Sequence, residues 1–352
     1  MIPAVLFAFA LPAQGSTLGP ISCATCGSGF DASAFNVIAL GTGSTLSTGN
    51  FNPSSDIGGR VAVFGNYTGT GYQIDSQAAS VPDPYSENYA LIVNGSISTN
   101  PFVVGSGSGS QAVWVGGTHP SFNAPLPTVS QSPASLDFDF VAARTSLDNL
   151  SSNTLAKYGT AVTGVPVSNG TNYVLTAVGS GLLVYNVPYT YFTDQNLAFE
   201  VDVAASGQSV IVNITGAPAS FSFSKGTIVK YGGVQVTANT TGGVPVLFNL
   251  PEVTSLGTSN GPLNGSFLAP YAVFNSPNQT VDGQLFVASV NGLAETHDQY
   301  YNGIMPSSVT TPEPGSFMLM IGGVLVVAGL VRIRRKPTQA EACGTIPPTR
   351  ID

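Results

Sequence analysis

The stretch Leu197-Ala-Phe-Glu200-Val-Asp202-Val203 carries two carboxylates two residues apart. In a strand, alternation sends Leu197, Phe199, Val201 and Val203 to one face and Glu200 and Asp202 to the other. The two carboxylates then sit roughly 6.5–7 Å apart along the strand. A pair so placed can hold a calcium ion or, set across a sugar linkage, hydrolyse it. No further acids cluster around them, so a solvated strand face is the plainer expectation. Cation or sugar binding at Glu200 and Asp202 is the candidate chemistry.

Other reactive side chains form no familiar constellation. Cys23 and Cys26 make a lone C-x-x-C, and Cys343 stands far away in the chain. A zinc site needs a second cysteine pair or nearby histidines, and the only histidines are His119 and His297. A redox C-x-x-C normally opens a helix, whereas Cys26 is followed by Gly-Ser-Gly. A local disulfide or two idle thiols is therefore expected. A Ser-His-Asp triad would need a positioned histidine, whereas His119 sits in a loop and His297 lies between acids at the end of the domain. The glycine clusters 41–43 and 105–109 satisfy neither the dinucleotide fingerprint nor the P-loop. Asp137 and Asp139 suit the start of a helix, where a carboxylate meets the positive end of the dipole. Trp114 and the aromatic run 185–192 offer stacking platforms for sugars, but buried core is the plainer role. The expectation is a protein without enzymatic activity, metal or cofactor.

The elements that carry these residues follow from an unusual composition. Of 352 residues, 10 are Lys or Arg and 18 are Asp or Glu, so 8% are charged, against roughly a quarter in ordinary domains. Gly and Pro number 41 and 25. A net charge of −8 repels phosphate backbones, which argues against nucleic-acid partners. With 43% hydrophobic residues the chain is no disordered tail. Charge is also unevenly placed. Residues 31–310 hold 15 acids and 5 bases, while 311–352 hold 3 acids and 5 bases. The result is a neutral-to-acidic β protein suited to the outside of a cell.

Between residues 31 and 305, short apolar stretches alternate with Gly, Asn and Ser turns. Arg60–Asn66, Ala90–Ser96 and Ala112–Thr118 resemble one another, each a short strand ending on a glycine corner at Gly65, Gly95 or Gly117. Those glycines are 30 and 22 residues apart, a spacing that suits the turns of a β-solenoid. Glycine suits such corners because it tolerates left-handed backbone. A β-sandwich is the alternative architecture. Residues 136–157 change period: Phe140, Ala143, Leu147, Leu150 and Leu155 form a stripe that predicts one helix against the sheet. Strands are expected afterwards at 173–176, 181–185, 197–203, 209–214, 221–223, 233–238, 244–248, 265–267 and 284–288.

The two ends read as addresses. Residues 1–13 contain the apolar run IPAVLFAFALPA, closing on small residues at Ala10 or Ala13, as a secretory leader does. Only Met1 precedes the run, so the leader is read as N-truncated, with 14–30 as a linker. At the other end, linker 306–316 contains Pro312-Glu313-Pro314. Then come the uncharged Phe317–Val331, roughly 22 Å long as a helix, and at once Arg332, Arg334, Arg335 and Lys336. An apolar helix with cations at one end predicts a membrane span with tail 332–352 in the cytoplasm and the bulk outside.

This tripartite order resembles the PEP-CTERM sorting signal of Gram-negative bacteria. The resemblance implies an exosortase-type peptidase as partner, transient or permanent residence in the inner membrane, and delivery to the surface or matrix. Here the residues PTQAEACGTIPPTRID follow Lys336, a longer tail than such signals have.

The body resembles the choice-of-anchor A family of bacterial surface proteins. The resemblance rests on Phe35–Gly41, Ile57–Asn66, Leu91–Gly95, Leu136–Arg144, Val246–Glu252, Leu263–Pro270, Val281–Val287 and Glu295-Thr-His297. It implies a β-solenoid-like fold with a packed helix and an adhesive or matrix role, with exopolysaccharide or surface ligands as partners. The function expected is thus that of an exported surface or exopolysaccharide-matrix protein. The alternative is a polysaccharide-binding or polysaccharide-processing protein. Ice binding would need flat threonine rows, and Thr-x-Thr repeats are not evident.

Overall fold

A computed structural model describes residues 32–306 apart from 43–44, 71, 77–88, 100–101, 104–111, 123–127, 132–135, 137–138, 159–160, 205–206 and 238–242. The chain is mostly β, with one large mixed sheet and one helix among the described residues. The expected leader, the C-x-x-C, the Pro-Glu-Pro segment and the span 317–331 with its cations lie outside the described residues. Residues 308–352 separate as a second unit, also outside them. No helix among the described residues is long and apolar enough to cross a membrane.

Strand pairing sorts into three parallel ladders. In the first, Val162–Thr163 is followed in space by Gly181–Pro188, Gln208–Thr215, Val246–Asn249, Ser266–Asp282 and Leu285–His297. The order continues through Val37–Ala39, Val61–Val63, Tyr89–Val93, Ala112–Val115 and Thr128–Ser130. One register line joins Asn186, Asn213, Asn249, Leu268, Phe286, Ile38, Ala62, Ile92 and Trp114. A second ladder joins Asn172–Ala177, Ala198–Val203, Thr227–Tyr231 and Leu263–Asn264 to the far ends of the two long strands. The third joins Ser220–Phe223, Ser255–Thr258 and the middles of the same long strands to Phe51, Tyr67 and Ile97. Parallel ladders of this kind are not the two antiparallel sheets of the β-sandwich alternative. Among named strands, antiparallel pairing is confined to Val167–Ser168 with Asn172–Ala177 and Thr227–Tyr231 with Val234–Gln235.

The apolar runs explain the burial. The central strands of the first ladder, from Gln208–Thr215 through Ala112–Val115, are buried on both sides where they pair, so they read as continuous V/I/L stretches rather than alternating ones. Val37, Val61, Leu91 and Val113 point into one core, which the other two ladders share through Phe199, Leu263, Phe51 and Phe274. Ile38, Ala62, Ile92, Trp114 and Phe286 point the other way, into a second core closed by the helix.

That helix runs Phe140–Asn149 and continues as a π-helical stretch, Leu150–Leu155, inside the predicted 136–157. Asp139 caps it, accepting hydrogen bonds from the backbone N–H of Val141 and Ala142 at 2.9 Å. Of the predicted stripe, Phe140, Ala143, Leu147 and Leu155 are buried against the sheet and Leu150 is half-buried. Phe140 meets Phe64 edge-on at 5.1 Å. The π-helical stretch sits on an asparagine ladder. Asn249 Nδ2 donates to Asn213 Oδ1 and Asn213 Nδ2 to Asn186 Oδ1, both at 2.9 Å. The same amides reach the helix: Asn249 Nδ2 donates to the Ser151 carbonyl (3.0 Å) and Asn213 Nδ2 to the Leu155 carbonyl (2.8 Å). Ser151 Oγ returns a bond to Asn249 Oδ1 at 2.6 Å.

The three look-alike strands do stack in register, and their corner glycines form a column. Gly65 N–H donates to the Gly49 carbonyl, Gly95 to Gly65 and Gly117 to Gly95, at 2.8–2.9 Å. The reason for glycine here differs from the left-handed one expected. A Cβ on Gly95 would lie 2.5 Å from the Gly65 carbonyl oxygen, so what the column needs is close approach of backbones. A second difference concerns 233–238. The strand is Thr227–Tyr231, and Gly232 and Gly233, at φ 58° and 80°, make the hairpin turn to Val234–Gln235.

Val37–Ala39 lies between Val61–Val63 and Leu285–His297, so the first strand of the domain is placed on its last. Asn36 fastens this seam: its Nδ2 donates to the carbonyls of Gly283 (2.9 Å) and His297 (3.0 Å), and its Oδ1 meets Thr296 Oγ1. Gln284 Nε2 donates to the Phe35 carbonyl at 2.8 Å.

Candidate functional site

The third ladder presents an outward face without charged side chains. Its inward residues, Phe221, Leu256, Phe274, Val290, Phe51, Tyr67 and Ile97, fill the core, so alternation turns their neighbours outward. One outward row reads Ser220, Ser255, Val273, Ser289, Asn50, Asn66 and Ser96. The other reads Ser222, Gly257, Asn275, Asn291, Asn52, Thr68 and Ser98. Only Val273, 38% exposed, is a large apolar side chain.

The two rows differ in what their polar atoms do. In the first, side chains stitch the ladder together. Asn50 Oδ1 accepts from Asn66 N–H (3.0 Å), Asn66 Oδ1 from Ser96 N–H (2.9 Å) and Ser96 Oγ from Thr118 N–H (3.0 Å). In the second, Asn275, Asn291, Asn52 and Thr68 are exposed and make no side-chain hydrogen bond among the described residues. Each follows a paired core residue, Phe274, Val290, Phe51 and Tyr67, so the four occupy consecutive strands.

Charge collects instead on the second ladder. Glu200 is buried, not solvated as alternation alone suggests. Its Oε1 meets Lys230 Nζ at 2.8 Å and its Oε2 accepts from Asn172 Nδ2 at 2.7 Å. The Glu200 bond holds the Lys230 ammonium above its ordinary pKa. Asp202, beside Lys230 in register, is half-buried. Glu200 also borders an open concavity of about 620 Å³ whose walls include Val165, Val167, Leu175, Val178 and Tyr185. Further along, His297 Nδ1 meets Asp282 Oδ1, and His297 Nε2 lies 3.5 Å from Glu295 Oε1. Hydrogen bonding to Asp282 raises the His297 pKa, against the opposing effect of burial. Among the described residues no three His, Cys, Asp or Glu side chains gather to hold a metal ion.

Of the residues singled out in sequence, Glu200 and Asp202 are thus placed on one strand, but Glu200 already has two partners. Cys23, Cys26, Pro312, Glu313, Pro314, Arg332, Arg334, Arg335 and Lys336 lie outside the described residues. His119 stacks on Phe122 at 5.4 Å, and His297 belongs to the carboxylate group just described. The row of Asn275, Asn291, Asn52 and Thr68 had no sequence signal. Its members come from opposite ends of the domain and meet only because the first strand lies on the last.

The model of a family described as "Putative Ice-binding-like adhesive domain" matches residues 31–298, the span of the three ladders. No curated protein and no solved structure matches the chain.

Proposed function

Because the chain belongs to the ice-binding-like adhesive domain family, we propose that it is an exported surface protein whose β domain mediates adhesion at the cell surface or in an exopolysaccharide matrix. The three parallel ladders are read as the faces of a β-solenoid, one covered by the helix and the others open to partners. Residues 1–13 act as leader. Pro312-Glu313-Pro314, the apolar 317–331 and the cations Arg332, Arg334, Arg335 and Lys336 act as a sorting and membrane-holding signal of the PEP-CTERM kind, read by an exosortase-type peptidase. The domain is read as one that binds rather than catalyses, a reading supported by the engagement of both Glu200 oxygens, which leaves Asp202 without a free carboxylate partner on its strand.

The single observation that carries this reading is the coincidence of the adhesive-family match with the whole stacked domain. It is tested by deleting the gene, restoring the full chain, and measuring attachment of cells to surfaces and to their own matrix. Attachment should fall on deletion and return with the chain. Equal attachment in all three strains refutes the adhesive reading. Mass spectrometry of the C-terminus in each cell fraction tests the sorting reading, which fails if material outside the membrane still carries Arg332–Asp352.

A further inference from the structure

The second outward row of the third ladder is built like a contact surface for one kind of partner. Asn275, Asn291, Asn52 and Thr68 lie on consecutive strands, exposed and without side-chain hydrogen bonds among the described residues. At the spacing of parallel strands the four span about 14 Å. An amide both donates and accepts, as does a hydroxyl, so the row offers mixed donors and acceptors strand after strand, across the register shift that follows Phe274. The neighbouring row, tied into the backbone at 2.9–3.0 Å, holds the surface in place before any partner arrives.

The chemistry of the partner follows from what the rows lack. With no cation in either row, a carboxylated, sulfated or phosphorylated ligand would lose its water without gaining a counter-charge. With no aromatic and one exposed valine, the surface has none of the anchors that carry protein–protein affinity. A ligand on an open strand face is enclosed from one side alone, so a small molecule would stay largely in water. An extended chain of hydroxyl-bearing units, touching several strands at once, satisfies all three conditions. We propose that Asn275, Asn291, Asn52 and Thr68 form the binding row for an uncharged polysaccharide, an assignment that rests on the adhesive reading above and names its ligand.

The test uses the full chain and three uncharged polysaccharides, cellulose, chitin and dextran, with alginate as the anionic counterpart. The wild type should bind at least one of the three, insensitively to added salt, and not alginate. The double substitution Asn52→Lys/Asn291→Lys should weaken that binding about tenfold, from hydrogen bonds lost on two adjacent strands, with an unchanged melting temperature. Asn52→Ala/Asn291→Ala provides the same reading should the lysines disturb folding. Gln235→Lys, exposed on the hairpin strand of the second ladder, should leave binding as it was. Binding by the row variants equal to wild type overturns the assignment, as does a preference for alginate. Adsorption to ice but to none of the three polysaccharides, abolished by the same variants, overturns the ligand class. If cells carrying the full chain attach normally while none of the three polysaccharides is bound, the ligand class fails and the adhesive reading stands. If attachment also fails, the adhesive reading falls with it.

Discussion

Replacing Asn249 by alanine should damage the domain out of proportion to the atoms removed. Asn249 is fully buried and makes three side-chain bonds, to the Ser151 carbonyl, the Ser151 hydroxyl and Asn213 Oδ1. The Ser151 carbonyl would keep its bond from the Ala156 N–H (3.1 Å), but alanine would leave the Ser151 hydroxyl and Asn213 Oδ1 without partners beneath the helix. Each buried orphan costs about 1–3 kcal/mol, so the two together cost about 2–6 kcal/mol, a large share of a typical domain's stability. Ser151→Ala alone orphans only Asn249 Oδ1 and should cost about 1–2 kcal/mol. In the Asn249→Ala background the Ser151 hydroxyl has already lost its partner, so removing it should cost almost nothing. Denaturant titration of the wild type, both single variants and the double variant closes this cycle. The coupling between the sites should therefore be about 1–2 kcal/mol. A cost below about 1 kcal/mol for Asn249→Ala, or strictly additive single costs, would refute the claim that the amide ladder holds the helix to the sheet.

Three further outcomes are expected. Gly95→Ala should cost about 3 kcal/mol despite its ordinary backbone angles, because the new Cβ meets the backbone of the adjacent strand. Gly232→Ala, at φ 58° with open space around it, should cost about 1–2 kcal/mol, and a reversed order of the two melting temperatures would contradict the close-approach account. His297 has a pKa above 6.5 in the folded protein, so its ion pair with Asp282 contributes stability that is fully present below pH 6.5. That contribution fades as pH rises through the folded value. Wild-type stability should therefore fall over that window while His297→Asn stays flat, and parallel pH profiles in denaturant titrations would rule this out. Asp139→Ala should lower stability by about 1 kcal/mol through the lost helix cap, and an unchanged unfolding midpoint would show that the cap contributes nothing.

Features whose cause is local were legible in the chain. The helix could be seen because its stripe and its cap lie within twenty residues of each other. Arg60–Asn66, Ala90–Ser96 and Ala112–Thr118 could be aligned because each repeats the same strand-and-glycine pattern. The order of the ladder was not legible, since nothing in residues 37–39 encodes a preference for 285–287 over another valine-rich strand. The burial of Glu200 escaped for a related reason. Alternation gives the side on which a residue points, but Lys230 and Asn172 arrive from other strands to cover it. The shift from 233–238 to Thr227–Tyr231 has a nearer cause: Gly232-Gly233 is a hairpin turn, and both flanks carry β-forming residues. The unpartnered asparagine row was hidden because its members are joined only by the seam between the first strand and the last.

The seam also decides how the domain bears load. In an ordinary stack of strands, the chain leaves from an outermost layer, and a pull on it strips layers away one after another. Here the last strand, Leu285–His297, is the sixth of eleven in the first ladder, with five strands on either side. Tension applied beyond residue 306 therefore enters at the midpoint. It meets first the bonds of the exit segment, Ile304 N–H to Ser209 Oγ, Tyr301 N–H to Gln284 Oε1 and Val244 N–H to the Tyr300 carbonyl. It then meets the Asn36, Gln284 and Thr296 bonds, flanked on both sides by intact layers. Peeling has no free end from which to start. A tether at that end would have to break the middle of the ladder before loosening any of it.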